Sequence, residues 1–267
     1  MYFDGVNTTA DELSAPGFLQ LVADGHRWQI LTELGRSDRR VGELTELVGR
    51  PQNLVSYHLA ELRKAGLVSA RRSSADGRDT YYRVDLIRCR NLLSSVTDAL
   101  HPGLGPGDQP REPPAPAQGR TPVVLFLCTG NSARSQMAEA LVVHRSGGAV
   151  DARSAGSHPK PLHSHAVQVM AERGIDIAGN PTKHLKRFAR SRFDRVITLC
   201  DKVREICPEL PGNPPAVHWS MADPAADGAG DEDPYQAFER TADELEVRIE
   251  LLIGELARPD QRRAHAH

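Results

Sequence analysis

Val123-Val124-Leu125-Phe126-Leu127-Cys128-Thr129-Gly130-Asn131-Ser132-Ala133-Arg134-Ser135 runs from five apolar, largely β-prone residues through a Cys-x5-Arg loop into the start of a helical pattern. A short loop between a strand and a helix can turn several backbone N–H groups inward, and the helix N-terminus adds the positive end of its dipole. Such a loop is a cradle for a tetrahedral oxyanion. Arg134 supplies a planar fork for two of its oxygens, and the same fields favour Cys128 as a thiolate nucleophile. Gly130 lets the chain approach the ligand closely, Asn131 can brace the loop, and the Ser135 hydroxyl can bond to the thiolate. Thr129, Gly130, Asn131, Ser132, Ala133 and Ser135 are thus the expected substrate-binding residues.

The loop and its continuation, Cys128 to Glu139, resemble the low-molecular-weight protein tyrosine phosphatase superfamily, and most of all its arsenate reductase branch. The resemblance runs from about Thr121 to Leu256. It takes in Ser154-Ala155-Gly156, Val196-Ile197-Thr198-Leu199-Cys200 and His218-Trp219-Ser220-Met221-Ala222-Asp223-Pro224, each at or after an expected strand. It implies an α/β domain with a four-stranded parallel sheet and flavodoxin-like topology. Ala133 is a departure, because both branches often carry a second cysteine inside the loop.

Phosphatase and reductase would share Cys128 and Arg134, so the remaining cysteines discriminate. Cys200 and Cys207 are separated by six intervening residues just beyond an expected strand end, where α/β proteins place their ligand crevice. The resemblance to thioredoxin-coupled arsenate reductases implies a relay. Cys128 attacks arsenate, Cys200 attacks the Cys128 adduct and releases arsenite, and Cys207 closes a disulfide with Cys200 for thioredoxin to reduce. Asp223-Pro224 matches the general-acid loop of the superfamily. It is followed by Ala225, whereas phosphotyrosine-specific members tend to place aromatic rings near this loop. Asn131, Glu139 and Ser154 match positions that bind potassium in some of these reductases. No tightly bound cofactor is expected, with thioredoxin as reductant. Two other readings are a low-molecular-weight phosphatase, in which Cys200 and Cys207 are dispensable, and a non-enzymatic regulator that senses an oxyanion.

Residues 102–120 carry six prolines and four glycines in nineteen positions. That composition reads as a semi-extended linker reaching at most ~60 Å at ~3.1 Å per residue. It separates an N-terminal domain, 1–101, from the α/β domain, 121–267, each long enough for its own core.

In the N-terminal domain Phe18, Leu21, Val22, Trp28, Ile30, Leu31 and Leu34 give a helical pattern ending near Gly35. Val41, Leu44, Leu47 and Val48 give a short helix ending at Gly49. The next helix, from Pro51 to Ala65, buries Leu54, Val55, Leu59 and Leu62 and turns Gln52, Asn53, Ser56, Tyr57 and Arg63 outward. That composition suits a recognition helix of a helix-turn-helix, and His58 completes its DNA-binding set. Two strand-like runs around Asp76-Gly77 form a wing carrying Arg71, Arg72 and Arg78. From Arg63 to Arg90 eight basic residues face three aspartates, whereas the whole chain stands at −2. Positive charge is concentrated where a DNA backbone would lie.

Val55 to Val68 resembles the ArsR (arsenical-resistance repressor) family of winged-helix proteins, over about residues 15 to 100. The resemblance implies an operator-binding homodimer, paired through the first helix and the last one near Leu86 to Leu100. Arsenite-responsive members bind As(III) through two or three thiolates, and this domain has Cys89 alone. No apolar stretch is long enough to span a membrane, and reduced thiols fit a cytoplasmic protein. His158, His163 and His165 read as surface histidines, and Glu232 to Leu256 as a C-terminal helix packed on the sheet through Phe238, Leu245, Ile249, Leu252 and Ile253.

Overall fold

The computed structural model describes residues 13–101, 120–207, 209–226 and 233–256. Most of the expected linker lies outside them. The described chain divides into two compact units, the first comprising 13–35, 41–70 and 82–101, the second 36–40, 71–81 and the residues from 120 onward.

The first unit is helical. α1 (Ala15–Val22) is capped by Ser14, whose Oγ accepts from the Gly17 amide. α2 (Gly25–Arg36) starts at Asp24, whose Oδ1 accepts from the amides of His26 and Arg27, both at 3.0 Å. The single helical run expected from Phe18 to Leu34 is therefore two helices, because an aspartate followed by glycine caps a new helix rather than continuing the old one. Trp28, counted in the apolar pattern, is 61% exposed. α3 (Val41–Val48) closes on Gly49 at φ +64°, and α4 (Gln52–Lys64) follows with Pro51 at its start. Phe18, Ile30, Leu34, Leu44, Val55, Leu59, Leu62 and Leu67 form the core of this unit. α5 (Leu86–Leu100), capped by Asp85, has no fully buried residue. Arg39–Arg40 (β1), Val68–Arg72 (β2) and Thr80–Val84 (β3) form a three-stranded sheet in the order β1-β3-β2. β2 and β3 are the expected hairpin; β1 was not foreseen.

The second unit holds β4 (Val123–Cys128), α6 (Arg134–Arg145), β5 (Asp151–Gly156), α7 (Ser164–Glu172), β6 (Arg195–Thr198), α8 (Asp201–Ile206), β7 (Ala216–His218) and α9 (Pro234–Leu256). Its sheet has the order β5-β4-β6-β7, with every pair parallel. That is the expected four-stranded sheet. β4 is central and buried on both faces, which is why it reads as a continuous apolar run rather than an alternating one. α9 packs on α6 and α7 and buries Phe238, Leu245, Ile249, Leu252 and Ile253, as its spacing predicts. The three histidines are not all at the surface. His163 and His165 are half-buried; His163 stacks on Phe238 and His165 meets it edge-on, at 4.5 and 5.4 Å between ring centroids.

The sheet order has a switch point. The chain leaves β4 toward β5 on one side, and β6 adds on the other, so the carboxyl ends of β4 and β6 border the crevice where such sheets hold ligands.

Candidate active site and nucleic-acid interface

Cys128 ends β4 and is 2% exposed. Ser135 Oγ lies 2.9 Å from its Sγ, and the Asn131 amide donates to that sulfur at 3.2 Å. The loop is held from behind. The carbonyls of Thr129, Gly130 and Ser132 each accept a backbone N–H, from His158, Lys160 and His163, all at 2.9 Å. A trans peptide points its N–H opposite its C=O. Tying these three carbonyls outward therefore turns the amides of Gly130, Asn131 and Ala133 toward the sulfur side, where an oxyanion would sit. Residues 156–163 thus orient the cradle, a role that nothing in their own composition announces.

Two glycines permit this geometry. A Cβ on Gly156 would meet the Thr129 carbonyl oxygen at 2.6 Å and the Asn131 nitrogen at 2.8 Å, and a Cβ on Gly130 would meet Ser132 Oγ at 2.8 Å. Asn131 takes φ +47°, a left-handed conformation that asparagine tolerates better than most residues. Its side chain is fully buried. Nδ2 donates to Ser135 Oγ at 2.9 Å and Ser154 Oγ at 2.8 Å, while Oδ1 accepts from the Lys183 amide at 2.6 Å and from Gln136 Nε2 at 3.3 Å.

Asn131, Ser154 and Glu139 do come together, as the potassium expectation required, but they do not fit an added cation. The Lys183 ammonium already donates to both oxygens of Glu139, at 2.8 and 3.1 Å, Ser154 donates to Glu139, and both lone-pair directions of Asn131 Oδ1 face N–H donors. Lys183 supplies the positive charge that a monovalent ion would bring.

Arg134 opens α6, is 5% exposed, and directs one nitrogen to the Met221 carbonyl at 3.0 Å and another to Asp223 Oδ2 at 3.1 Å. Asp223 is half exposed, so it stands at the mouth with its carboxylate turned to the anion-binding guanidinium. On the other wall, Cys200 caps the start of α8, is 2% exposed, and has its Sγ 3.3 Å from Thr129 Oγ1. Cys207 caps the other end of α8, and burial pushes its thiol pKa up. All four cysteines are free thiols.

Behind Cys200 lies a charged cluster not foreseen in the sequence. Asp201 is fully buried, with Oδ1 accepting from Ser220 Oγ at 2.7 Å and facing His218 Nε2 at 3.1 Å. Its Oδ2 accepts from the Ser74 amide and the Arg71 guanidinium, both at 2.7 Å. Burial by itself would raise the pKa of this carboxyl. The hydrogen bonds from His218, the Ser74 amide and Ser220, with the Arg71 charge, outweigh it and hold the group well below the usual carboxylate range. Arg71 also donates to Ser220, so it is engaged with this cluster rather than presented to a phosphate.

In the first unit Gln52, Asn53, Ser56, Tyr57 and Arg63 are exposed on one face of α4; Arg72 and Arg78, in the 71–81 stretch that belongs to the second unit, are exposed on the wing. His58 is a correction. At 6% exposed it lies on the buried face of α4 with Val55 and Leu62, three and four positions away, and is turned from any DNA. Burial pushes the Cys89 thiol up to about 11.

Residues 123–262 match the family described as low molecular weight phosphotyrosine protein phosphatase, and residues 24–70 match bacterial regulatory protein, arsR family. An arsenate reductase of Halalkalibacterium halodurans is 39% identical over 127 residues, 48% of this chain and 91% of that relative. One from Brevibacillus brevis is 39% identical over 126 residues, 47% of this chain and 90% of the relative. A solved arsenate reductase in its oxidized state is 28% identical, with TM-score 0.44 over 50% of this chain and 98% of its own. No described helix is long and apolar enough to cross a membrane. With more than half of its length matched and the Cys128 to Arg134 cradle intact, the chain belongs to the low molecular weight phosphotyrosine protein phosphatase family, joined to an arsR-family helix-turn-helix segment.

Proposed function

We propose that this protein is an arsenate reductase fused to a DNA-binding transcriptional repressor domain. The observation that carries the reading is the position of Cys200, with its sulfur against Thr129 of the Cys128 loop and Cys207 at the far end of the same short helix. A phosphatase needs neither thiol there.

The reaction divides into three sulfur transfers. Arsenate enters the cradle on the inward amides and Arg134. The Cys128 thiolate attacks arsenic, an S–As bond forms, and an oxygen leaves as water after protonation from Asp223. Cys200 then attacks Cys128 Sγ. An S–S bond forms and the S–As bond breaks with its electron pair staying on arsenic, which becomes As(III) and departs as arsenite. Cys207 finally attacks Cys200 Sγ, frees the Cys128 thiolate and leaves a Cys200–Cys207 disulfide, which a thioredoxin-class dithiol reduces with two electrons.

The last transfer demands movement. Cys200 and Cys207 cap opposite ends of α8, about 10 Å apart along its axis at ~1.5 Å per residue. A disulfide requires Cα atoms within roughly 7 Å. α8 must therefore unwind for the bond to close.

The repressor half of the reading rests on the helix-turn-helix segment, with Gln52, Asn53, Ser56, Tyr57 and Arg63 on base edges and phosphates, and Arg72 and Arg78 on the flanking backbone. Exposed Leu19 on α1 and Ile87, Leu93 and Leu100 on α5 support a homodimer through these two helices. Thiols that must be reduced each cycle suit the cytoplasm.

NADPH consumption on arsenate with thioredoxin and thioredoxin reductase tests the reading, wild type against Cys200→Ser. Turnover in wild type that disappears in the variant supports the relay. Absence of wild-type turnover, with cleavage of an aryl phosphate by both proteins, would overturn it in favour of a phosphatase.

A further inference from the structure

One cluster in the first unit has no part in this chemistry. Asp24, His26 and His58 bring one carboxylate oxygen and two imidazole nitrogens to within 4.8 Å of one another. Asp24 Oδ1 lies 3.8 Å from His26 Nδ1 and 3.9 Å from His58 Nδ1, and the two rings stack at 5.3 Å with an interplanar angle of 20°. The role of Asp24 as cap of α2 accounts for its own position. It does not account for His58. That ring is more than nine-tenths buried, and its Nδ1, aimed at Asp24, has no hydrogen-bond partner. Buried ring nitrogens are nearly always satisfied, so an imidazole nitrogen left facing a carboxylate and a second imidazole points to a ligand-binding role.

We propose that Asp24, His26 and His58 bind a divalent first-row transition ion, of which zinc is the foremost candidate. Zn–N and Zn–O bonds of ~2.0–2.2 Å place the donors of a tetrahedral site roughly 3.4 Å apart. The carboxylate-to-imidazole pairs need to close by about 0.5 Å and the two imidazoles by at most about 1.4 Å, and water completes the fourth position. Two imidazoles and a carboxylate suit zinc, cobalt, nickel or copper, not a thiophilic As(III) centre. The ion would fasten the first turn of α2 to the middle of α4. His58 sits beside the exposed Tyr57, whose ring meets it edge-on at 5.2 Å, so occupancy bears on the helix proposed to read DNA.

Titration of the full-length reduced protein with cobalt(II) provides the test. The expected result is one His26-dependent ion per chain with a Kd tighter than about 10 μM. Its visible d–d bands vanish in His26→Ala, and the wild-type minus variant spectrum lacks thiolate-to-cobalt charge transfer. Asp24→Asn keeps the helix cap and removes the charge, so it should weaken binding at least about tenfold while leaving the circular dichroism unchanged. Equal cobalt binding by wild type and folded His26→Ala, or a difference spectrum dominated by thiolate charge transfer, would overturn the site.

Discussion

Asn131→Ala tests the account of the cradle most sharply, because the side chain and the backbone of this residue make separable contributions. Truncation removes four hydrogen bonds from a fully buried side chain and strands partners on Ser135, Ser154, Lys183 and Gln136. At a net ~0.5–1.5 kcal/mol each, the loss is about 2–6 kcal/mol. The φ of +47° adds a further penalty for alanine, of the order of 1 kcal/mol. Asn131→Ala should therefore destabilise the second unit by about 5 kcal/mol. Asn131→Gly loses the same bonds but relieves the left-handed strain, partly offset by its freer unfolded chain, and should be about 0.5 kcal/mol more stable than the alanine variant. The assay is urea unfolding followed by Trp219 fluorescence in a Trp28→Phe background. Trp219 is buried at 6% exposure in the second unit, and Trp28 is largely solvent-exposed in the first. A loss under about 1.5 kcal/mol for Asn131→Ala would refute the bracing network. Alanine outranking glycine by the margin seen in ordinary helices would refute the strain argument.

Four further outcomes follow from the same contacts. Gly156→Ala should cost about 1–3 kcal/mol and weaken phosphate or arsenate binding in calorimetry, since its Cβ would push on the loop backbone rather than on a yielding side chain. Arg134→Lys keeps the charge but loses the planar fork, and arsenate kcat/KM should fall by about 10–100-fold, most of it in KM, measured by the coupled NADPH assay. The folded-state pKa of Asp201 lies below its unfolded value of ~3.9, so its stabilisation is present above pH ~4 and drains away as the pH falls through that value and below; melting temperatures from pH 6 to 3 should drop less steeply for Asp201→Asn. Oxidation of the wild type should lower far-ultraviolet helical circular dichroism by roughly one short helix, and Cys207→Ser should abolish that change.

Local spacing made the cradle and the helix pair legible, because a strand, a Cys-x5-Arg loop and a helix, or two helices around Gly49, are written in consecutive residues. The clamp behind the cradle was not legible, since the amides of His158, Lys160 and His163 carry no side-chain signature and reach the loop only through the parallel pairing of β4 with β5. Lys183 defeated the potassium expectation from 44 residues beyond Glu139, a separation across which sequence says nothing of contact. Arg71 looked like a phosphate contact because basic wings usually are, and only the buried Asp201 explains where its charge goes. His58 is different. It stands three residues after Val55 and four before Leu62, so helical periodicity alone assigns it to the inner face, and its polarity concealed that.

The two sulfurs that meet first are held by opposite means. Cys128 sits where the loop carbonyls of Thr129, Gly130 and Ser132 are fastened, on a strand buried on both faces, beneath a side-chain network that Lys183 and Glu139 lock electrostatically. A nucleophile that must match a tetrahedral anion gains from such rigidity, because its donors need not reorganise as charge develops. Cys200 and Cys207 bracket α8, a helix of six residues that is too short to be stable by itself and has no side-chain cap at Cys200. A thiol that must first reach Cys128 and then be reached by Cys207 requires a segment that opens at small cost. Attack chemistry thus lies at the constrained carboxyl end of a central strand, and sulfur exchange on a short helix that is far less constrained. This division favours a relay over a phosphatase, whose hydrolytic second step needs only water at Cys128 and no movable thiols.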